Sequence, residues 1–207
     1  MSHSAEHWDK VYAGREDSAL TWHEDAPALA LEIIRARLAP GQAVIDVGGG
    51  TSRLAEALLE EGLGPVTVLD LSKQALARNR ARMGTRGEEV AWIAADVTAW
   101  KPEQTYALWH DRAVFHFLVD PAGRAAYVAR MAQALAPGGL ALISTFADDG
   151  PERCSGLPVQ RYAPQDLTAE MERHAPGQFA PLQSRRHDHH TPAGNIQKFQ
   201  TSLFRKR

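Results

Sequence analysis

The sequence is short of several features that mark specialised classes of protein. Cys154 is its only cysteine, which excludes an internal disulfide and a four-cysteine zinc site. No apolar run approaches the ~20 residues of a membrane span, and the opening MSHSAEHWDKVYAG lacks the apolar core of a signal peptide. We therefore expect a cytoplasmic protein that does not bind a membrane.

A large excess of one charge is absent as well. The formal net charge of the 207 residues is -2, whereas general nucleic-acid binders are clearly basic, so we expect no nucleic-acid partner. The length favours a single domain over 1–207. Residues 1–30 hold six acids and two Lys/Arg, and residues 181–207 hold one acid and six Lys/Arg. This asymmetry indicates either two solvated surfaces or a basic patch for an acidic partner.

Short apolar runs alternate with helix-like stretches along most of the chain. We predict strands at 43–47, 66–70, 90–94, 106–110 and 140–146, and helices at 51–61, 72–82, 121–135 and 164–173. Extended segments at 183–190 and 196–204, joined by a turn at 191–194, predict an antiparallel hairpin. Apolar strands alternating with helices are typical of a parallel sheet covered on both faces.

A glycine-rich turn follows the first predicted strand, within the segment VIDVGGGTSRLAEALLE. The strand ends near Asp46, and the chain then passes through Gly48, Gly49 and Gly50 before a helix begins. Glycines allow a ligand to approach bare backbone, and the free amides of the helix start point to the same place. The turn therefore predicts a nucleotide-like ligand.

Asp70 ends the second predicted strand, twenty residues after Gly50. An acid at that position can accept hydrogen bonds from both hydroxyls of a ribose. The alternative role is at the start of the next helix, with Ser72 as the cap. A nicotinamide fingerprint would place a glycine where this chain has Arg53, and no Gly-Lys-Ser/Thr follows the turn as a P-loop requires.

Four segments in this order, DVGGGTS, VLDLS, AADVTAW and LAPGGLALIS, resemble the motif series of class I S-adenosylmethionine-dependent methyltransferases. The resemblance runs from about Trp8 to Phe146, with Ser52 where a further glycine is common. It implies a Rossmann-like three-layer α/β sandwich whose seven-stranded sheet has six parallel strands and one antiparallel strand. It also implies S-adenosylmethionine as the cofactor and S-adenosylhomocysteine as the product.

The resemblance further implies which residues bind the amino acid and ribose of the cofactor. Asp46 matches the acid that fixes the amino group. Gly48, Gly49 and Gly50 match the turn against which the amino-acid part lies. Asp70 matches the acid that binds the ribose.

The same resemblance assigns the adenine site and the reactive end. Leu71 matches an apolar residue that packs on adenine, Asp96 the acid that receives the adenine amino group, and Val97 its neighbouring backbone contact. His110 and Asp111 match positions beside the reactive methyl group.

Methyl transfer from a sulfonium is an in-line displacement, which requires alignment, exclusion of water and, for some acceptors, removal of a proton. His110 or His116 could act as the base because an imidazole titrates near neutral pH. We expect Asp111 to belong to the same catalytic group and Arg112 to bind an acidic acceptor. The alternative is that Asp111 caps a turn and the histidines are ordinary surface groups.

Aromatic residues are frequent near the N-terminus. Trp8, Tyr12 and Trp22 could contact the cofactor, because a sulfonium is favoured near aromatic faces. Trp8 and Tyr12 are four residues apart and share a face if the segment is helical. We predict that residues 1–24 form a lid over the cofactor, the alternative being that these aromatics only pack the segment onto the sheet.

The loop after the fifth predicted strand should border the acceptor. We expect Arg153, Cys154 and Tyr162 to contact the substrate together with Arg112. Farther on, His187 and His189 share one face of a strand and His190 takes the other. This pattern lacks an acid or cysteine partner, so we predict no metal site.

These observations predict an enzyme that methylates a small molecule. A protein lysine methyltransferase is the first alternative, since Asp111-Arg112-Ala113-Val114 resembles the Asp-Lys-Gly-Thr pattern of some lysine methyltransferases of this fold. A non-catalytic module that binds S-adenosylmethionine is the second. An RNA or DNA substrate ranks lower, because no Asn-Pro-Pro-Tyr motif follows the fourth strand. We expect a monomer or a homodimer.

Overall fold

The computed structural model describes residues 5–207 and contains a seven-stranded sheet between layers of helices. None of the helices in that range is long and apolar enough to cross a membrane. The helices are α1 (Ala5–Ala13), α2 (Ala28–Arg35), α3 (Leu54–Glu60), α4 (Lys73–Met83), α5 (Pro121–Ala134) and α6 (Pro164–His174). The strands are β1 (Val44–Val47), β2 (Val66–Asp70), β3 (Ala91–Ala94), β4 (Tyr106–Arg112), β5 (Leu135–Phe146), β6 (Arg153–Cys154), β7 (Leu157–Pro158), β8 (Phe179–His190) and β9 (Ile196–Lys206).

The sheet has the strand order β3-β2-β1-β4-β5-β9-β8. Strands β1 to β5 pair in parallel, and β9 pairs antiparallel with both β5 and β8. Six strands therefore run in one direction and β9 runs in the other. This confirms the sheet that the motifs implied, including the antiparallel hairpin at its end.

Apolar side chains on the strands point alternately to the two helical layers. Leu108 packs with Ile34 of α2 on one face, whereas its neighbour Trp109 packs with Tyr127 of α5 on the other. The indole Nε1 of Trp109 also donates to the Tyr127 hydroxyl at 2.8 Å, so its polar atom is satisfied in the core. Burial of each such side chain contributes roughly 2 kcal/mol of transfer free energy to stability. Both helical layers are needed because each covers one apolar face of the sheet.

Several element bounds differ from the predicted ones. α3 begins at Leu54, because the three preceding residues still form the turn after the glycines. β5 begins at Leu135, which pairs with Tyr106, and a register shift before Leu108 accommodates the Pro-Gly-Gly run that was expected to separate helix and strand. Gly138 in that run has a φ of +77°. α2 and the short β6–β7 hairpin were not predicted.

The basic end of the chain is balanced by acids from other segments. Arg185 pairs with Glu32, and Arg186 and Lys198 both pair with Asp149. Exposed pairs of this kind contribute little to stability, about 0–1 kcal/mol each. Their presence supports the interpretation of two solvated surfaces rather than an unpaired basic patch.

Candidate active site

Two cavities lie side by side at the carboxyl ends of the parallel strands. The larger has a volume of about 200 Å³ and the smaller about 60 Å³. Tyr12, Trp22, Gly48 and Arg112 line both. The strand order reverses between β1 and β4, and open α/β sheets bind ligands at the carboxyl ends of strands beside such a reversal.

The glycine turn lets neighbouring side chains approach its backbone closely. Gly48 has a φ of +67°, and a Cβ atom there would lie 2.0 Å from the side chain of Val114. Gly50 has a φ of +41°, and its Cβ would lie 2.3 Å from the Tyr12 hydroxyl. Asn79 of α4 donates to the Gly50 carbonyl oxygen at 2.8 Å. Any residue larger than glycine would therefore strain the backbone at both positions and would require Val114 or Tyr12 to move.

Asp46 and His110 form a buried pair on the wall of the smaller cavity. His110 Nδ1 donates to Asp46 Oδ1 at 2.7 Å. Asp46 Oδ2 is buried and has no hydrogen-bond partner among the described residues, and Gly49 lies beside it. The Asp46 Oδ2 atom is therefore available to accept a hydrogen bond from a ligand amino group, the role predicted for Asp46. His110 lines the smaller cavity and not the larger one.

The predicted ribose and adenine residues lie together in the larger cavity. They are Asp70, Leu71, Asp96 and Val97. Asp70 Oδ1 accepts from the Ser72 amide at 2.8 Å, and burial raises the pKa of Asp70 to about 6 although such hydrogen bonds oppose the shift. Asp96 Oδ1 accepts from the amide and hydroxyl of Thr98. Both carboxylates are thereby fixed by backbone at strand ends.

Asp111 lies outside both cavities and is fully buried. Its Oδ1 accepts from the Val114 amide at 2.8 Å, and its Oδ2 accepts from the Phe115 amide and the Tyr127 hydroxyl. Burial raises the pKa of this carboxyl to about 6. Asp111, predicted to be catalytic, therefore bonds to the turn after β4 and to α5 and does not reach either cavity.

His116 and Tyr162 also lie in the interior, away from the cavities. His116 Nδ1 accepts from the Phe146 amide at 3.3 Å, and burial, with a smaller effect of the Arg112 charge, lowers the pKa of His116 to about 3. Tyr162 packs on Phe115 with ring centroids 5.6 Å apart. His116 was predicted to lie beside the methyl group and Tyr162 to contact the acceptor. Neither side chain reaches a cavity, because both pack in the core.

The two remaining predicted substrate residues of the 147–162 loop differ in placement. Cys154 lines the larger cavity, and burial raises the pKa of its thiol to about 11. Arg153 is exposed, lies outside both cavities and donates to the Gly156 carbonyl oxygen.

Arg112 is held firmly between the two cavities. Its Nη1 donates to the Trp22 carbonyl oxygen at 2.8 Å, and its Nη2 lies 2.9 Å from Glu24 Oε1. The guanidinium carbon lies 5.1 Å from the centroid of the Phe199 ring. Burial lowers the pKa of Arg112, whose side chain keeps 18% of its exposure.

The N-terminal aromatics pack against one another over the larger cavity. Trp8 contacts Trp22 and Phe117 edge-on, with ring centroids 6.1 and 5.1 Å apart. Tyr12 contacts Trp22 in the same manner at 6.0 Å. All three predicted cofactor aromatics line the cavity. The first four residues of the predicted 1–24 lid lie outside the described part of the chain.

Contacts from two elements, α4 and β8, hold this N-terminal segment in place. Ser72 at the start of α4 donates to Asp9 at 2.6 Å. Arg78 of α4 donates to the Tyr12 carbonyl oxygen at 2.6 Å. His189 Nε2 on β8 donates to the Thr21 carbonyl oxygen at 2.8 Å.

Some residues of this region escaped the sequence analysis. Arg53 lines the smaller cavity, and its buried Nε has no hydrogen-bond partner in the described chain. The sequence had marked Arg53 only as a misfit to the nicotinamide fingerprint. Glu24 gave no local signal, and His189 was considered only as a metal ligand, because the partners of both are remote in sequence. Within residues 5–207, no group of three or more His, Cys, Asp or Glu could hold a metal ion, which includes the 187–190 histidines.

Known structures share this fold. The 1,6-didemethyltoxoflavin-N1-methyltransferase of Burkholderia thailandensis, solved with S-adenosylhomocysteine, is 27% identical, with a TM-score of 0.73 over 98% of this chain and 87% of that one. The N-methyltransferase NodS of Bradyrhizobium japonicum, also solved with S-adenosylhomocysteine, is 15% identical, with a TM-score of 0.73 over 98% of both chains. The fold is therefore that of Rossmann-like methyltransferases.

Sequence comparison leads to the same class. Residues 44–139 match a family model described as a methyltransferase domain. The eEF1A lysine and N-terminal methyltransferase of Mus musculus is 26% identical over 110 residues, 53% of this chain but 16% of that protein. This chain matches only about a sixth of that relative's length. Residues 44–139 are thus similar to a methyltransferase domain, and the whole chain shares its fold with methyltransferases solved with S-adenosylhomocysteine, the product of S-adenosylmethionine.

Proposed function

We propose that the enzyme methylates a small-molecule acceptor in the larger cavity, beneath a lid formed by residues 1–24. The observation that carries this proposal is the roof made by Trp8, Tyr12 and Trp22. A lysine in a protein brings flanking backbone, which would have to displace this segment and its contacts. A small molecule can be enclosed without displacing it.

The buried charges fit the donor. We assign Asp46 Oδ2 to the amino group and Arg53 to the carboxylate of S-adenosylmethionine, since both line the smaller cavity and have unpartnered buried atoms. The glycine turn of residues 48–50 supports the amino-acid part. In the larger cavity, Asp70 would bind the ribose. We call this region, with Leu71, Asp96 and Val97 for the adenine, the donor end.

The opposite part of the larger cavity is formed by Trp8, Arg112, Phe117 and Cys154, and we call it the acceptor end. When bound, S-adenosylmethionine supplies an electrophilic methyl group. The residues of this chain orient the acceptor against it and exclude water, which gives a large effective concentration. We do not assign a base to His110, because it donates to Asp46, away from the acceptor end.

A protein lysine acceptor is the second candidate. The match to an eEF1A lysine and N-terminal methyltransferase favours it, whereas the match to a methyltransferase solved with the small molecule 1,6-didemethyltoxoflavin favours the first. We further propose a single domain over 1–207 that works in the cytoplasm as a monomer or a homodimer. Sedimentation of the purified protein tests the oligomeric state.

Transfer of a labelled methyl group separates these functions. The purified enzyme is incubated with methyl-labelled S-adenosylmethionine and a cell lysate, and small molecules are separated from macromolecules. We expect label in the small-molecule fraction, and none with Asp70→Asn. Label in a protein would support the lysine alternative, and label in neither fraction would support a binding module and contradict our proposal.

The lid has its own test. Replacing Trp8 or Trp22 by alanine removes aromatic area from the roof, and we expect affinity for S-adenosylhomocysteine to fall about tenfold. Phenylalanine at either position should retain most of the affinity. If the alanine variants and a folded deletion of residues 1–24 bind like the parent enzyme, the segment is not a lid.

A further inference from the structure

At its acceptor end, the larger cavity provides no base at neutral pH. Its titratable lining residues within 5–207 are Tyr12, Asp70, Asp96, Arg112, Asp120 and Cys154. Histidine and lysine are absent from this set. Any proton on the acceptor would therefore have to pass to a carboxylate, a phenolate or a thiolate, because the guanidinium is already protonated.

None of these groups is both free and basic. Burial keeps the thiol of Cys154 and the phenol of Tyr12 protonated, because it raises both pKa values. Asp120 Oδ1 accepts from the Gly123 amide, and this bond lowers the pKa of Asp120, which makes it a weak base. Asp70 and Asp96 belong to the donor end.

No histidine among residues 5–207 lines the larger cavity, although His7 contacts Trp8 edge-on at 5.4 Å between ring centroids and His23 lines the smaller cavity. Four others have partners of their own. His110 donates to Asp46 in the smaller cavity, and His116 accepts from the Phe146 amide inside the core. His189 donates to the Thr21 carbonyl oxygen. His187 stacks on Phe199 at 5.7 Å between ring centroids, on β8. None of the four lines the larger cavity.

The acceptor end also carries a positive charge. Arg112 lines it, with Glu24 at 2.9 Å as its ion-pair partner. An alkylammonium group, such as that of lysine, would have to lose a proton beside this guanidinium and without a base. An anion would be attracted by the same guanidinium, and the apolar walls formed by Trp8, Phe117 and Cys154 suit an aromatic ring.

We propose that the acceptor is an aromatic or heteroaromatic ring with an acidic N–H or S–H group, which loses its proton to solvent before binding and enters as an anion next to Arg112. This inference rests on the proposed function and specifies its substrate class. The lone pair of the anionic nitrogen or sulfur forms the bond to the methyl carbon. The bond from that carbon to the donor sulfur breaks, and its electron pair stays on sulfur. A neutral methylated ring and S-adenosylhomocysteine result, and no proton moves to the protein.

The test compares acceptors that differ in acidity. Formation of S-adenosylhomocysteine by the full-length enzyme is measured with thiophenol, benzyl mercaptan, benzotriazole, benzylamine and benzyl alcohol. We expect turnover of thiophenol or benzotriazole and not of benzylamine or benzyl alcohol, and the thiol and azole arms identify the atom. For an active acceptor, kcat/KM should fall about tenfold per pH unit below the acceptor's own pKa. At neutral pH, kcat/KM should be higher for thiophenol than for the less acidic benzyl mercaptan.

Several results would overturn this inference without touching the proposed function. Turnover of benzylamine or benzyl alcohol would do so, as would one pH profile shared by all acceptors at saturating S-adenosylmethionine, which would reveal a base on the enzyme. Failure of the whole panel, with S-adenosylhomocysteine still bound in calorimetry, also counts against it. In the lysate assay, label on a small aliphatic amine would contradict only this inference. Label on a protein would contradict the proposed function.

Arg112 provides a variant test. Arg112→Gln should lower kcat/KM for the anionic acceptor about tenfold, and Arg112→Lys should restore part of the loss. Affinity for S-adenosylhomocysteine is measured in parallel, because Arg112 borders both cavities. Arg205→Gln, at an exposed arginine on β9, is the matched control. An equal loss of affinity for S-adenosylhomocysteine in Arg112→Gln would indicate a structural role instead.

Discussion

The donor end and the acceptor end of the larger cavity are built in opposite ways. Asp70, Leu71, Asp96 and Val97 follow two adjacent parallel strands, and backbone amides fix the carboxylates. The acceptor end combines Trp8, Arg112, Phe117 and Cys154 from distant segments. One part of the cavity is thus set by strand ends and the other by side-chain packing. Chemistry common to a superfamily can stay constant at the first while specificity changes at the second.

The strongest test of this contrast is at the donor end. Asp70→Asn replaces the charged acceptor proposed for two ribose hydroxyls, and hydrogen bonds to a charged group contribute roughly 1.5–3 kcal/mol. We expect affinity for S-adenosylhomocysteine to fall about 100-fold, measured by calorimetry. Asp148→Asn, at an exposed acid, is the control. Undiminished affinity of Asp70→Asn would remove the ribose assignment.

The same substitution should stabilise the unliganded enzyme. Burial raises the pKa of Asp70 to about 6 in the fold, above its usual range in an unfolded chain, so its ionised form is disfavoured by folding at neutral pH. Asparagine keeps an acceptor for the Ser72 amide and removes the buried charge. We expect a gain on the order of 2 kcal/mol at neutral pH that shrinks as pH falls through 6. Denaturant unfolding of both proteins at neutral pH and below pH 6 measures this gain. A loss of stability in Asp70→Asn at neutral pH would contradict the prediction.

Donor affinity should depend on pH through the same carboxyl. Ribose hydroxyls donate to the ionised form, so protonation of Asp70, with a pKa of about 6, competes with binding. Affinity for S-adenosylhomocysteine should be flat above that pH and fall, at most about tenfold per unit, below it. Asp70→Asn should flatten the profile. An unchanged profile in that variant would assign the dependence to another group.

The smallest expected effect concerns the contact between lid and hairpin. His189→Gln weakens one hydrogen bond to the Thr21 carbonyl, a contribution of about 0.5–1.5 kcal/mol. Acceptor KM should rise about threefold while donor affinity changes less. Partial proteolysis within residues 14–25 should accelerate by a similar factor. His190→Gln, on the exposed neighbour, is the control, and equal behaviour of the two variants would show that the contact has no role.

The sequence predicted these two ends to different depths for a physical reason. Motifs from Asp46 to Val97 lie on successive strands of a parallel sheet, so local sequence determines where they meet. Asp111 and His116 looked equally suitable as catalytic residues, yet their side chains point into the core. A single polar residue near a turn does not reveal from sequence which way its side chain points. The Glu24–Arg112 pair depends on packing across the molecule and left no periodic signal. Cys154 reached the cavity through a loop whose path no motif specifies.

The attachment of the N-terminal segment has an evolutionary consequence. Arg78, Arg112 and His189 hold it through carbonyl oxygens of Tyr12, Trp22 and Thr21. Carbonyl oxygens are present whatever residue occupies the position. Mutations can therefore exchange the side chains that face an incoming molecule while the anchoring persists, so new acceptors can be acquired without rebuilding the enzyme's cover.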